Sequence, residues 1–132
     1  MFLGLLNEKE GKNFLELASI AMNVDGEVVD QERKVFSTYR FELGLEKYEI
    51  KNKEYKNIVR ELKSSRTPVL RAIIIELAGM MDADEEIEKV EENWLLKLGA
   101  DFDFRDSEMR KMIRWTQDFN DLLAEGYMYI NK

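Results

Sequence analysis

Apolar residues recur along this chain at the three- and four-residue spacing of helices that bury one face. Asn7 and Glu10 have the spacing of a capping box, in which each side chain bonds the backbone of the other residue. We therefore expect a first helix from about residue 8 to residue 23. Its buried stripe consists of Phe14, Leu17, Ala18 and Ala21.

The next two helices are predicted by their boundary residues. After a break at Asp25-Gly26, Asp30 is expected to cap a second helix, and Gly44 is expected to end it. Residues 46–65 are rich in lysine and predict a turn followed by one helix.

The clearest helix start is Thr67-Pro68, a capping residue followed by proline at the first helical position. Residues 69–81 are apolar almost all round, which predicts the central, most buried helix. Three successive isoleucines could suggest a strand, but the length of the run and its start favour a helix.

Two further amphipathic helices follow in the sequence. The first is expected to close at Gly99, and the second to run from a cap at Asp106-Ser107 to Gly126. We expect residues 127–132 to pack back or to fray. The pattern predicts an all-α bundle of six or seven helices in a single domain, residues 1–132. The inward face of the last helix is expected to comprise Met109, Met112, Ile113, Thr116, Phe119 and Leu123.

The chain also repeats itself at a shift of 59 positions. Residues 22–32 (MNVDGEVVDQE) align with residues 81–91 (MDADEEIEKVE), and each copy lies between an apolar helix and an amphipathic one. This predicts a pseudo-two-fold pair of helix–acidic loop–helix hairpins that share one core. The identical pairs are Met22/Met81, Asp25/Asp84, Glu27/Glu86 and Glu32/Glu91.

The acidic loops have two interpretations. Their carboxylates could bind a hard divalent cation such as Ca²⁺ or Mg²⁺, which prefers oxygen ligands. Alternatively, Asp25 and Asp30 cap the following helix and the acids of its first turn offset the helix dipole, contributing roughly 0.3–1 kcal/mol each. Both interpretations remain open. The candidate metal ligands are Asp25, Glu27, Glu32, Asp84, Glu86 and Glu91.

An ordinary EF-hand is not expected in either copy. With Glu32 as the twelfth loop position, the first position is Ala21, and in the second copy it is Met80. Neither side chain can bind a hard cation. In the second copy, Glu85 also stands where the sharp turn of an EF-hand needs glycine.

Residues 21–32 instead resemble the Ala-x-x-x-Asp-Gly-x-hydrophobic-x-x-x-Glu signature of the TerB-like (tellurite-resistance B) family. Asp25 and Glu32 match this motif, and Asp84 and Glu91 resemble the second acidic motif of that family.

The resemblance spans about residues 12–125. It implies a compact all-helical fold of two related halves, an acidic surface that binds metal ions, and a role in bacterial stress or tellurite-resistance systems through protein partners. The chain departs from the pattern at Glu85, where the first copy has glycine.

Composition narrows the possible chemistry. The chain has no cysteine and no histidine, which removes thiolate nucleophiles, disulfides, the usual transition-metal ligands and the most common general base. A hydrolase with a pair of carboxylates needs only two acids at a fixed separation, yet nothing singles out a pair among the 27 acids. We therefore expect no catalytic residues and no enzymatic activity.

Charge bears on the class of partner and on location. The net charge of −7 argues against binding to nucleic acid or to anionic membranes. The apolar residues 2–6 lack a basic flank and are too few for a signal peptide or a spanning helix, which predicts a cytoplasmic protein without membrane insertion. Residues 76–108 carry a net charge of −9 and residues 46–71 a net charge of +4. This polarity could guide a protein partner, or it could reflect two solvated faces.

Two functions therefore remain open for this non-enzymatic binding or scaffold domain. In the first, the twin acidic loops bind divalent cations and couple that event to partner recognition. In the second, the domain is a metal-independent interaction module whose charge-polarised surface recognises another protein.

Overall fold

The computed structural model describes residues 1–84 and 86–132, without the side chain of Asp84. Within these ranges the chain forms helices and no strand, so the predicted all-α fold is confirmed. No described helix is long and apolar enough to cross a membrane. The helices are α1 (Glu8–Met22), α2 (Asp30–Leu43), α3 (Tyr55–Leu62), α4 (Thr67–Met81), α5 (Lys89–Asp101) and α6 (Asp106–Ile130), with 3-10 turns at Leu3–Leu5 and Asp82–Asp84.

The helix boundaries repeat at the 59-residue shift found in the sequence. The helices α1 and α4 begin and end at equivalent positions, because residues 8 and 22 correspond to residues 67 and 81. The helices α2 and α5 also begin at equivalent positions, 30 and 89. The two apolar helices α1 and α4 contact each other, so the hairpins meet through their buried members.

The helix α4 lies at the centre of the core. It contacts α1, α2, α5 and α6, and Ile73, Ile74 and Leu77 are completely buried. Full burial of such side chains contributes roughly 1.5–3 kcal/mol each. The run of apolar residues that marked this helix in the sequence therefore packs on several sides at once, as predicted.

Three predicted caps are displaced by one position. Asp30, Thr67 and Asp106 are the first helical residues instead of the caps before them. At two of these starts the third helical residue provides the cap, since Glu32 and Glu108 accept the backbone N–H of the residue before the helix at 3.2 and 3.4 Å. A glutamate at that position reaches back to the start of the helix, so the preceding residue needs no polar side chain.

Two predicted helix ends are wrong. The helix α5 continues through Gly99 to Asp101, and α6 continues through Gly126 to Ile130. Gly99 is needed for packing, because a Cβ atom there would overlap the side chain of Met109. Gly44, in contrast, ends α2 as predicted, with a left-handed φ of +69°.

A buried glutamate fixes the irregular segment 45–54 between α2 and α3. Glu16 of α1 accepts hydrogen bonds from the Tyr48 hydroxyl at 2.6 Å and from the backbone N–H groups of Lys51 and Lys53 at 2.8 and 3.1 Å. Burial alone would raise the pKa of Glu16, but these hydrogen bonds and the Lys53 charge outweigh it and lower that pKa. The buried carboxylate of Glu16 therefore fixes the lysine-rich segment against α1.

The apolar start of the chain packs onto α2 and α4. Leu3 is buried, and the Met1 ammonium group lies 2.6 Å from a Glu42 oxygen and 3.0 Å from a Glu76 oxygen. Burial lowers the pKa of this amino group, but the hydrogen bonds and charges of the two carboxylates outweigh that effect and raise it.

Candidate functional site

The first acidic loop is organised by local hydrogen bonds. Asp25 Oδ1 accepts the backbone N–H of Glu27 at 3.0 Å, and Gly26 between them has a φ of +82° that favours glycine. Glu27 itself is exposed. One Asp25 oxygen therefore stabilises the turn, whereas the predicted capping of α2 by Asp25 is wrong, because Glu32 accepts the N–H group at the start of that helix.

The two motif glutamates occupy equivalent buried positions. Glu32 and Glu91 are each only 3% exposed, and each is the third residue of its helix. Glu32 accepts the N–H of Val29 at 3.2 Å and Glu91 accepts the N–H of Glu88 at 3.0 Å. Both glutamates also take part in interactions beyond these hydrogen bonds. The repeated acid of the motif thus holds the start of a helix in both copies.

The second acidic loop lies against the first hairpin. The 3-10 turn Asp82–Asp84 contacts α2 as well as α4. Asp82 is buried, and its Oδ2 accepts a hydrogen bond from the Asn120 amide of α6 at 3.0 Å. The side chain of Asp84 and the whole of Glu85 lie outside the described residues.

A hard divalent cation needs several oxygen ligands around one point. Among them, no group of three acidic side chains is placed so that it could hold one metal ion. Asp25, Glu32 and Glu91 each direct one oxygen at a backbone N–H, and Glu86 is exposed with an interaction of its own. Because Asp84 is a member of the predicted set and its side chain is not described, the cation site stays a prediction.

Two surface grooves are related by the same 59-residue shift. One, which we call the α1 groove, has a volume of about 520 Å³ and is lined by Ile20, Asn23, Val24 and Trp94, together with Asn52. The other, which we call the α6 groove, has a volume of about 720 Å³ and is lined at the equivalent positions by Gly79, Asp82, Ala83 and Val35, together with the second half of α6. The duplication therefore produces a matched pair of depressions beside the acidic loops.

The two grooves differ in what completes them. The irregular segment before α3 contributes Asn52 to the α1 groove. The α6 groove is completed by a helix, which contributes Leu123 and Tyr127 to its apolar wall and Asp121 and Glu125 to its edge. It is thus the larger of the two and has carboxylates beside an apolar surface.

The second half of α6 has little packing from the rest of the chain. Met109, Ile113 and Thr116 are buried, and the same helix face continues with Leu123, Tyr127 and Ile130 at the repeat of 3.6 residues. The latter three are 48%, 58% and 77% exposed. Leu123 therefore lies on the predicted inward face of α6, but it is not buried, because the bundle does not extend far enough to cover it.

Aromatic side chains extend this exposed surface around α6. Trp115 stacks on Phe119 with ring centroids 5.4 Å apart, and Phe2 lies beside Trp115 at 6.2 Å. Trp115 is half exposed, and Leu122 next along this flank is exposed.

Sequence reasoning missed the residues that make the α6 groove. Val35 and Gly79 have no side-chain chemistry that marks a binding site. They can be recognised only by comparison with Trp94 and Ile20, which occupy the equivalent positions of the repeat. The alignment at a shift of 59 contained that signal. The sequence contained no signal for the exposure of Leu123 and Tyr127, because periodicity places a residue on a helix face without showing what covers that face.

The chain matches no family model, no curated protein and no solved structure. The resemblance to the TerB-like family therefore stays a prediction that rests on the two acidic motifs.

Proposed function

We propose that this chain is a protein-interaction module without enzymatic activity, and that it binds its partner with the second half of α6. The supporting observation is the continuous face of α6, which is buried at Met109, Ile113 and Thr116 and exposed at Leu123, Tyr127 and Ile130. Contiguous apolar patches on soluble proteins commonly mark interaction sites.

The composition of this patch fits a protein partner. Its exposed residues include Tyr127, Met128 and Tyr129, and aromatic and methionine side chains are enriched at protein interfaces. An anionic membrane is the weaker candidate, because Asp118, Asp121 and Glu125 stand on the same half of the helix.

A paired capture experiment tests the proposal. The double variant Leu123→Ser with Tyr127→Ser removes apolar contacts from the exposed face, so partners captured from the native host by the wild type should be lost. The matched control carries Ser37→Ala and Thr38→Ala on exposed positions of α2 and should capture the same proteins. Equal capture by the α6 double variant and the wild type, with both folded, would contradict the proposal.

Cation binding by the acidic loops is the second candidate. It is supported by the repeat of the carboxylates and by the contact of the turn Asp82–Asp84 with α2, the helix that carries Glu32. Calorimetric titration of the metal-free chain with Ca²⁺, Mg²⁺ and Mn²⁺ tests it. If millimolar metal produces no heat and no change in melting temperature, cation binding is excluded, because a cation that binds the folded state must stabilise that state. A role in stress or tellurite resistance would rest on the TerB-like motifs and on the partner that is captured.

A further inference from the structure

We infer that the α6 groove binds a basic amphipathic helix of a partner protein. This inference rests on the proposed function and adds the chemistry of the occupant. It is carried by the space that the groove leaves, by the charge around it and by the spacing of its apolar residues.

The space is shown by comparison with the α1 groove. Where the α1 groove has Trp94 and Ile20, the α6 groove has Val35 and Gly79. A Cβ atom built at Gly79 would meet only ordinary contacts, the nearest being Thr116 Cγ2 at 3.7 Å. The α6 groove therefore lacks the large side chains of its counterpart and is the larger depression, at about 720 Å³ against about 520 Å³.

The charge around the groove selects the partner. Its described lining contains the carboxylates of Asp82, Asp121 and Glu125, and none of the described lining residues is a lysine or an arginine. A basic partner would meet opposite charge along this edge, and an acidic partner would meet like charge.

The apolar wall has the spacing that a helix recognises. Leu123 and Tyr127 of this wall lie four residues apart on one face of α6, and Ile130, three residues further along, continues that face beyond the described lining of the groove. Together they form a ridge with about one apolar side chain per helical turn. An amphipathic helix laid alongside would place its own apolar residues against this ridge, the arrangement of helix-in-groove recognition.

A second copy of the chain is the less suitable occupant. Its own exposed apolar helix is again the second half of α6, which carries Asp118, Asp121 and Glu125 and neither lysine nor arginine. Pairing two such helices would bring carboxylates together. The lysine-rich face around Lys51 and Lys56 has the right charge, but its partly buried apolar residues pack against the core.

The test uses two model peptides of about 18 residues that share one leucine face at helical spacing, with lysine on the polar face of one and glutamate on that of the other. Binding to the full chain is followed by fluorescence anisotropy. We expect the lysine peptide to bind roughly tenfold tighter than the glutamate peptide, with the difference shrinking at high salt.

Substitutions of matched size separate groove binding from general attraction to an acidic protein. Val35→Trp places in the α6 groove the side chain that fills the α1 groove, and it should weaken the lysine peptide roughly tenfold without changing the charge. Ser37→Trp adds the same side chain on exposed α2 surface outside the groove and should leave binding unchanged. Helical content and melting temperature establish that both variants are folded.

The outcomes distinguish the inference from the proposed function. Equal binding of both peptides, with loss in Val35→Trp, would overturn the basic character of the occupant and leave an interaction surface in place. Binding that Val35→Trp does not weaken, or no binding of either peptide, would overturn the inference about the groove. A dimer by sedimentation that Val35→Trp dissociates would assign the groove to a second copy and overturn it as well. The capture experiment with Leu123→Ser and Tyr127→Ser decides the proposed function separately.

Discussion

Glu16 differs most from what its place in the sequence indicates. It stands in the first helix between Leu15 and Leu17, both completely buried, and it is itself only 1% exposed. A charged residue is rarely this buried unless it is paired or hydrogen-bonded. Three donors from the segment 45–54 satisfy its carboxylate, so this acid organises the loop from within the core.

Glu16→Gln is expected to lower the free energy of unfolding by about 2 kcal/mol at pH 7, because the neutral amide is a weaker acceptor for three donors than the carboxylate. The Lys53 ammonium group keeps its ion pair with Glu61, at 2.9 Å. Urea denaturation followed by circular dichroism measures this loss. The control Glu49→Gln changes an exposed acid of the same segment and should alter stability little. Equal effects of the two substitutions would contradict the account.

The stabilisation that the Glu16 carboxylate provides is expected to decrease as the pH falls. The pKa of Glu16 is lowered in the folded chain from its ordinary value of 4.5, so its contribution is complete above that value and disappears as the pH falls through the folded-state pKa. The stability difference between wild type and Glu16→Gln should therefore narrow below about pH 4.5. A difference that stays constant on acidification would show that the charge of Glu16 does not stabilise the fold.

At the scale of helices, the interior glycines Gly79 and Gly99 differ in the space around them. Gly99 of α5 is buried against Met109 of α6, while Gly79 of α4 has room for a methyl group. Both positions lie inside helices, where alanine is intrinsically favoured over glycine by about 1 kcal/mol. Packing therefore decides the sign of each substitution.

Gly99→Ala is expected to destabilise the chain by about 1–2 kcal/mol. The added methyl group must displace the buried Met109 side chain, and this costs more free energy than the gain in helix propensity provides. Gly79→Ala is the matched control and should be neutral or stabilising by up to about 1 kcal/mol. Thermal unfolding of both variants checks this. Stabilisation by both substitutions would mean that α5 and α6 do not approach closely at Gly99.

The motif glutamates give a prediction about the acidic loops. Glu32→Ala and Glu91→Ala should each lower the free energy of unfolding by about 1 kcal/mol or more, because each removes a helix cap at an equivalent position. The loss should be the same with and without a chelator. Glu27→Ala, which changes an exposed residue of the first acidic loop, serves as the control. A loss seen only when metal is present would favour the cation interpretation.

At the scale of the whole molecule, much of the fold was predictable from sequence. The duplication was visible because helix boundaries and the acidic motif repeat together, and α4 was recognisable as the central helix because it is apolar almost all round. The end of α5 was not predictable, since glycine serves both as a helix end and as a packing residue. Gly126 has open space around it, and nothing in its surroundings explains why α6 continues through it.

The candidate site was less accessible to sequence reasoning. The sequence suggests the acidic residues as metal ligands, yet Glu32 and Glu91 each accept a backbone N–H group at the start of their own helix. The exposed surface of α6 depends on how far the bundle extends, and that depends on the packing of α4 and α5 against the first half of α6. No local pattern within α6 distinguishes the covered half from the exposed one.

The central claim is that residues 121–130 of α6 have little packing from the described remainder of the chain. Amide hydrogen exchange of the monomeric protein tests it most directly, because a helix end without tertiary packing opens far more readily than a packed one. We predict slow exchange for residues 109–120 and much faster exchange for residues 121–130. Equal protection along the whole of α6 would contradict the account, since it would mean that this surface is already covered.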